Sequence, residues 1–235
     1  ALIRLRDEAD LHLVTVAHWN ASRLAARLRR LVRGRRLGPL RRIVVDQHKP
    51  RFHRSLTTGG HLTALDVEIP HSLSLALDLA GPAELRDAHC WDLPCEDREL
   101  PRMGGAHVEL EHRSGVTTLL RSDLGAPVRQ RSVVCEFEVG RATGHFPLSE
   151  DDDHAQLVLT PDTPTADGVP APYGAPAADR YVFRDDALTD FMEGAYREFH
   201  SGTPDTAGFA LACLTASLLC EARETLAPAA PAGSR

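Results

Sequence analysis

The chain has 235 residues, and its 27 Lys and Arg against 33 Asp and Glu give a formal net charge of −6. This acidic balance argues against a nucleic-acid or anionic-membrane partner, because both require a basic surface. The composition, 43% hydrophobic and 26% charged, is typical of a globular protein, and no apolar stretch is long enough for a membrane span. Five cysteines at irregular spacings favour reduced thiols, and with no apolar signal core near the first residue they predict a cytoplasmic protein.

The first segment predicts a helix end followed by a strand. Residues 1–9 have the pattern of the last turns of a helix, and the apolar run 11–17 predicts a buried strand directly after it. This order is typical of the later part of a βαβ unit, so we expect the chain to begin inside a larger fold. His18, Trp19 and Asn20 would end this strand, and Asn20 is also a good N-cap for the next helix.

Helical patterns come next and strand patterns follow them. We expect a helix over 21–32, a strand over 40–46 and, after a basic stretch and Gly59-Gly60, a long apolar helix over 61–80. Pro70 is costly inside a helix, so the alternative is a helix that begins near Pro70 with Glu68 just before it. Strands are predicted over 85–93, 106–112, 115–124, 132–139, 142–148 and 156–160, with a hairpin turn at 112–115. Two helices, 186–200 and 205–226, complete the pattern.

These elements predict an α/β fold of the α+β type, with a mostly antiparallel or mixed open sheet and helices packed on one face. Residues 1–226 would form a single domain that includes a loop over 161–178, and residues 227–235 a disordered tail. The face without helices would carry Leu119, Val133, Cys135, Phe137 and Val139. In the strand over 132–139, a shift of the register by one residue would put Val134, Glu136 and Glu138 on this face instead of Val133, Cys135, Phe137 and Val139.

His71 is the main candidate for chemistry. On a helix, Glu68 and His71 are three residues apart and share a face, whereas Asp66 and His71 are five apart and share it less well. A carboxylate that orients an imidazole could let His71 take a proton from a hydroxyl group. The alternative is a capped helix whose polar residues face solvent.

The order of these elements resembles the second domain of the Gfo/Idh/MocA family (glucose-fructose oxidoreductase / inositol dehydrogenase). The resemblance rests on an amphipathic helix ending in Arg35-Arg36-Leu37-Gly38-Pro39-Leu40, a strand, a basic loop, and Gly59-Gly60 before a helix with His71. In that family a Gly-Gly-Gly-x-x-x-Asp-x-Gly-x-His stretch contributes a catalytic acid and histidine. The family's acid lies four residues before the histidine, where Val67 stands here, so either Glu68 or Asp66 would be the partner of His71.

The resemblance also implies where a substrate would bind. His48, Lys49, Arg51 and His53 precede the diglycine at the family's substrate pocket, so they could bind a sugar-like or anionic substrate, and a solvated basic loop is the alternative. His18 is also a candidate for substrate binding, because it lies at the end of the predicted strand over 11–17. Metal sites at Cys90 and Cys95 or at Glu150-Asp151-Asp152-Asp153-His154 are weaker interpretations than plain thiols and a solvated turn, so no metal ligand is assigned.

A nicotinamide-dependent oxidoreductase acting on a sugar-like hydroxyl or ketone is the function that the resemblance implies. The sequence holds no Gly-x-Gly-x-x-Gly, so NAD or NADP would bind only with a Rossmann domain that this chain does not contain, and no residue is assigned to cofactor binding. We also expect a homo-oligomer that associates through the sheet face. The alternative is a cofactor-free protein on the same domain, either a binding or scaffold subunit or a lyase or isomerase that uses the His71 pocket.

Overall fold

Eight β-strands form one mixed sheet in the computed structural model of the chain. The structure describes residues 4, 6, 8, 9, 13–57, 61–95, 98–149, 152–161, 179–202 and 205–226. The strands are β1 (Leu40–His48), β2 (Ala83–Cys95), β3 (Arg98–His112), β4 (Thr117–Asp123), β5 (Gln130–Phe137), β6 (Gly140–His145), β7 (His154–Pro161) and β8 (Asp179–Arg184). Their order is β2-β3-β4-β1-β5-β6-β7-β8; β1 and β4 run parallel, and the other neighbours run antiparallel. The predicted mixed open sheet is confirmed.

Helices cover one face of this sheet. They are α1 (His18–Ala21), α2 (Arg23–Gly34), α3 (Phe52–Thr57), α4 (Ile69–Ala80), α5 (Ala187–Ser201) and α6 (Thr206–Thr225), with a 3-10 turn at Ala64–Asp66. The long helix α4 packs on β1 and β4. Leu24 of α2 lies so close to β6 that a Cβ atom on Gly144 would come within 3.0 Å of its side chain. No helix in the described part of the chain is long and apolar enough to cross a membrane.

The register of β5 corrects one prediction. Val133, Cys135 and Phe137 are buried and lie opposite β1 residues that pack under the helices, on what we call the covered face. Val134 lies on the other side, the open face, opposite Val44. Leu119 shares the open face as predicted, since it also pairs with Val44. The strand was predicted, but the prediction put the wrong set of β5 residues on the open face. Alternation with a period of two does not show which of the two sets of residues faces the helices.

The first segment is not a strand where the structure describes it. Residues 13–17 lie outside the sheet, and His18, Trp19 and Asn20 belong to α1, because none of the described strands pairs with this segment. Asn20 is not the N-cap of α2; its Nδ2 donates to Ser74 Oγ at 2.9 Å and ties α1 to α4. Ser22 caps α2 instead.

A distant carboxylate completes the cap of α2. Asp185, which is 2% exposed, accepts from the backbone N–H groups of Arg23 and Leu24 at 2.7 and 3.3 Å. Burial raises the pKa of this carboxyl, and the two backbone hydrogen bonds oppose the rise. The residues between β8 and α5 thereby hold the start of a helix more than 160 residues earlier in the chain.

Helix α4 begins near Pro70, as the alternative prediction had it. The helix begins at Ile69, and Pro70 lies in its first turn, where a missing backbone N–H costs nothing. The predicted helical start at 61 is wrong because Asp66 accepts from the backbone N–H of Thr63 at 3.0 Å and closes a separate 3-10 turn. Glu68 therefore lies at the N-cap of α4.

Other predicted elements are confirmed with shifted bounds. Asp186 and Asp205 cap α5 and α6 through Thr189 N and Gly208 N, and Gly115, at φ +80°, forms the predicted turn between β3 and β4. The five cysteines are free. Strand β8 and helix α3 were not predicted. Gly59-Gly60, the predicted loop beyond Pro161 as far as residue 178, and the tail 227–235 lie outside the described residues.

Candidate active site

A group of polar side chains meets where β1 ends and β5 begins, beneath the start of α4. Gln47 of β1 lies opposite Arg131 of β5 in the antiparallel register. Gln47 is 2% exposed and Glu68 is 3% exposed, so both carry polar atoms into the core. Such groups are tolerated inside a protein only when they are hydrogen-bonded or paired.

Glu68 satisfies that requirement through both carboxylate oxygens. Its Oε1 contacts the ammonium group of Lys49, and its Oε2 accepts from Gln47 Nε2. Ser72 Oγ in turn donates to Gln47 Oε1 at 3.3 Å. Lys49 is the sole lysine of the sequence. Its ammonium group is positioned by a buried carboxylate that is itself fixed by the hydrogen bond from Gln47.

His71 lies in the first turn of α4 and within an aromatic stack. Its ring centroid is 4.8 Å from that of His18, edge to face, and 6.1 Å from the indole of Trp19. Trp19 also stacks on Phe146 at 4.3 Å. The imidazole is therefore oriented by packing, and His71 is not among the hydrogen-bond partners of Glu68 in the described part of the chain.

The electrostatic surroundings keep both imidazoles neutral. Burial, followed by the positive charges of Lys49 and Arg131, lowers the pKa of His71. Burial, together with the proximity of His71 and Arg131, lowers the pKa of His18 to about 4, and the charge of Glu68 opposes this. The Nδ1 atom of His18 is buried and has no hydrogen-bond partner among the described residues. At neutral pH both rings are therefore unprotonated, and each has a lone pair that a hydrogen-bond donor can use.

Two arginines complete the surroundings of Glu68. Arg131 donates from Nη1 to Pro147 O at 3.1 Å, and Arg51 is 9% exposed. In the part of the chain that the structure describes, the Nε atom of each arginine is buried without a hydrogen-bond partner. Both guanidinium groups interact electrostatically with Glu68. We call His18, Lys49, Glu68, His71 and Arg131 the His71 cluster.

The structure places three other predicted site residues elsewhere. Asp66 accepts from Arg223 Nε at 2.8 Å and from Nη2 at 2.6 Å, so it anchors α6 to the 3-10 turn. His53 is exposed on α3. His48 lies on the opposite side of β1 from Gln47, with its Nε2 3.5 Å from Asp46 Oδ1, in a separate cavity of about 410 Å³.

Sequence reasoning missed Gln47 and Arg131. The signal for both was their position in the alternation of buried and exposed residues: Gln47 continues the buried set of Ile43 and Val45, and Arg131 that of Val133 and Cys135. A polar residue at a buried position near a strand end is a candidate for a site.

A larger cavity of about 970 Å³ opens beside His71. It lies between residues 13–17, the first turns of α4, and helices α5 and α6. Its wall is mainly apolar, and its polar lining residues include Asn20, His71, Ser74, Asp78 and Glu198. A pocket of this size accommodates a small organic molecule with its polar end near the imidazole.

The acidic turn before β7 is a separate and exposed group. Asp152, Asp153 and His154 place their ligand atoms within 4.8 Å of one another, but Asp153 already pairs with Arg184. Glu150 and Asp151 lie outside the described residues. Among the described residues, nothing further points to a metal here.

The fold matches solved oxidoreductases at low sequence identity. The 3-ketoreductase KijD10 from Actinomadura kijaniata, in complex with NADP and TDP-benzene, superposes with a TM-score of 0.76 at 14% identity, over 96% of this chain and 66% of that chain. An oxidoreductase from Agrobacterium radiobacter, in complex with NAD+, L-tartaric acid and magnesium, superposes with a TM-score of 0.68 at 11% identity, over 95% and 65%. This chain therefore has the fold of about two thirds of those proteins. No family model and no curated protein matches the sequence.

Proposed function

We propose that this chain is the substrate-binding and oligomerisation portion of a nicotinamide-dependent oxidoreductase of the Gfo/Idh/MocA type. Its substrate would carry a sugar-like hydroxyl or ketone. The observation that carries the proposal is His71: a neutral imidazole, beside a pocket and flanked by two cations, in a fold shared with an NADP-bound ketoreductase. Residues 1–226 would form one domain.

In this proposal His71 moves the proton of the reacting hydroxyl. Its lowered pKa leaves the ring unprotonated at neutral pH, so it can accept the proton when the alcohol is oxidised and return it when the ketone is reduced. Lys49 stabilises negative charge that develops on the same oxygen. Glu68 holds Lys49 in place, which makes it a positioning residue for the cation.

The residues of this chain do not fit a dinucleotide. The sequence lacks the glycine-rich turn between a strand and a helix that receives a pyrophosphate. The proposal therefore places the nicotinamide outside these 235 residues, and this chain contributes substrate binding and the proton. TDP-benzene in KijD10 is consistent with a sugar-nucleotide type of substrate for this fold.

A second candidate function uses the proton-transfer groups of the His71 cluster without a nicotinamide. His71, Glu68 and Lys49 all belong to this chain, so proton transfer at a carbon or oxygen requires no residue from elsewhere. A cofactor-free lyase or isomerase on the same fold would use the same three side chains.

Replacement of His71 tests the leading proposal. In the protein that carries this chain together with its nicotinamide domain, His71→Ala should lower kcat by about 10²- to 10⁴-fold, because the proton acceptor is lost. The melting temperature should change little. The matched control is His53→Ala, which removes an exposed imidazole and should leave kcat unchanged. Activity of His71→Ala within a few-fold of the wild type would contradict the proposal.

A further inference from the structure

The charges around His71 do not balance within the described residues. Lys49 and Glu68 form a pair and neutralise each other. Arg131 and Arg51 have no carboxylate within ion-pair distance anywhere in the part of the chain that the structure describes. Each buries a guanidinium N–H without a partner. Arginine keeps its charge under all ordinary conditions, so two positive charges remain to be compensated.

Neighbouring acids are committed to other partners. Asp46 is held by Arg121 in a bidentate pair of 2.6 and 2.9 Å on the opposite side of β1, and Asp66 is held by Arg223. The histidines of the cluster are neutral and supply no negative charge. A buried cation without a counter-charge is costly, and guanidinium groups bind carboxylate and phosphate oxygens in a bidentate geometry. The missing component is therefore an oxyanion.

We propose that the substrate carries an oxyanion, a carboxylate or a phosphate, which Arg131 binds beside His71 with Arg51 adding its charge. This inference rests on the proposed function for the location of the reacting group. It adds that the molecule is charged, so neutral polyols would be poor ligands. Arg131 becomes a specificity-determining residue, because it touches the part of the substrate that does not react.

The test compares ligands that differ only in charge. Glycolate carries a hydroxyl and a carboxylate, ethylene glycol is its neutral counterpart, and inorganic phosphate is the second oxyanion. Their dissociation constants follow from the rise in melting temperature of the 235-residue chain with ligand concentration at constant ionic strength. Glycolate, phosphate or both should bind at least about tenfold more tightly than ethylene glycol. Which of the two binds more tightly identifies the oxyanion.

Variants at two neighbouring arginines assign the effect. Arg131→Gln should weaken binding of the oxyanion about 10- to 100-fold, because a charge-assisted hydrogen bond is lost. Without ligand, it should melt no lower than the wild type, since an uncompensated buried charge has been removed. Arg129→Gln is the matched control: Arg129 also donates to a backbone carbonyl, Leu148 O at 2.7 Å, but is exposed, so binding should be unchanged. Arg131→Lys keeps the charge and should bind with intermediate affinity.

Two results would overturn the inference. One is equal binding of glycolate, phosphate and ethylene glycol to the wild type. The other is oxyanion binding that survives in Arg131→Gln or that is weakened as much in Arg129→Gln. The measurement involves no turnover, so its failure leaves the His71 proposal standing, and a failed His71 test leaves the oxyanion site standing.

Discussion

Two acidic residues two positions apart have different roles in this chain. Asp66 closes the 3-10 turn and pairs with Arg223 of α6, a residue whose side chain is about half exposed. Glu68 is buried and binds Lys49 and Gln47 inside the site. Distance along the chain from His71 does not separate these roles. Their hydrogen-bond partners do.

Isosteric amides at the two positions should therefore behave differently. Glu68→Gln leaves the partly buried Lys49 without its counter-charge, so it should lower the free energy of unfolding by about 3 kcal/mol and lower kcat as well. Asp66→Asn weakens a partly exposed pair and a turn, so it should cost about 1 kcal/mol and leave kcat within a few-fold. Urea denaturation and steady-state kinetics of both variants provide the comparison. Equal losses of kcat would show that Asp66 is also coupled to the reaction.

At the scale of elements, one histidine connects α4 to a hairpin. His112 is 2% exposed at the end of β3, 2.7 Å by its Nδ1 from Gly81 O and 2.8 Å by its Nε2 from Thr118 Oγ1. A carbonyl only accepts, so Nδ1 carries the proton and Nε2 accepts from the hydroxyl of Thr118. This pair of hydrogen bonds places the end of α4 against β4.

This connection should make the fold sensitive to acid. Burial lowers the pKa of His112 below the ordinary histidine value of 6.5, so the unfolded chain takes up a proton first as the pH falls. The contribution of neutral His112 is complete above pH 6.5 and is lost as the pH falls toward the lower pKa of the folded state. The melting temperature should therefore drop between pH 7 and pH 5.

A substitution separates this residue from the other histidines. His112→Gln should cost about 1 kcal/mol at pH 7 through the lost hydrogen bonds, and it should show a smaller drop in melting temperature toward pH 5. His107→Gln on the same strand is the control, because it removes an imidazole that lies beside Glu109 on the open side of the sheet and makes no contact with α4 among the described residues. An identical pH profile in His112→Gln would rule out the assigned role.

At the scale of the whole molecule, the open face carries a mixture of apolar and charged side chains. Four apolar residues on this face are half-buried: Val44, Leu119, Val134 and Val158. They lie side by side, because Val44 pairs with Leu119 and with Val134, and Thr143 of β6 pairs with both Val134 and Val158. The pair of Asp46 with Arg121 lies on the same side. Apolar residues in adjacent strands with no helix above them are typical of a surface that another subunit covers.

We accordingly expect a homo-oligomer that associates through the open face. Light scattering at micromolar concentration should give a mass above 25.7 kDa for the wild type. Val134→Arg should shift the mass to that of the monomer, because it places a charge at the centre of this face. Leu62→Arg, at an exposed position before α4, should leave the assembly intact. A wild-type monomer would contradict this prediction.

Local patterns determined most of the element order. Capping residues such as Asp186 and Asp205, alternation along the strands, and the turn at Gly115 depend on neighbours a few residues away, and the sequence shows those neighbours directly. His71 could also be singled out, because Glu68 and His71 are three residues apart on either version of the helix. The start of α4 at Ile69 was accessible through Pro70.

Tertiary structure decided the composition of the site. The antiparallel register of β1 and β5 brings Gln47 opposite Arg131, residues 84 positions apart, and only that pairing shows which phase of β5 lies under the helices. Glu68 binds Lys49 instead of His71, and Asp66 binds Arg223 from the far end of the chain. The sequence by itself determined which residues could carry charge and chemistry. Which charges meet, and which remain uncompensated, depended on long-range packing, because burial and pairing are properties of the assembled sheet and helices.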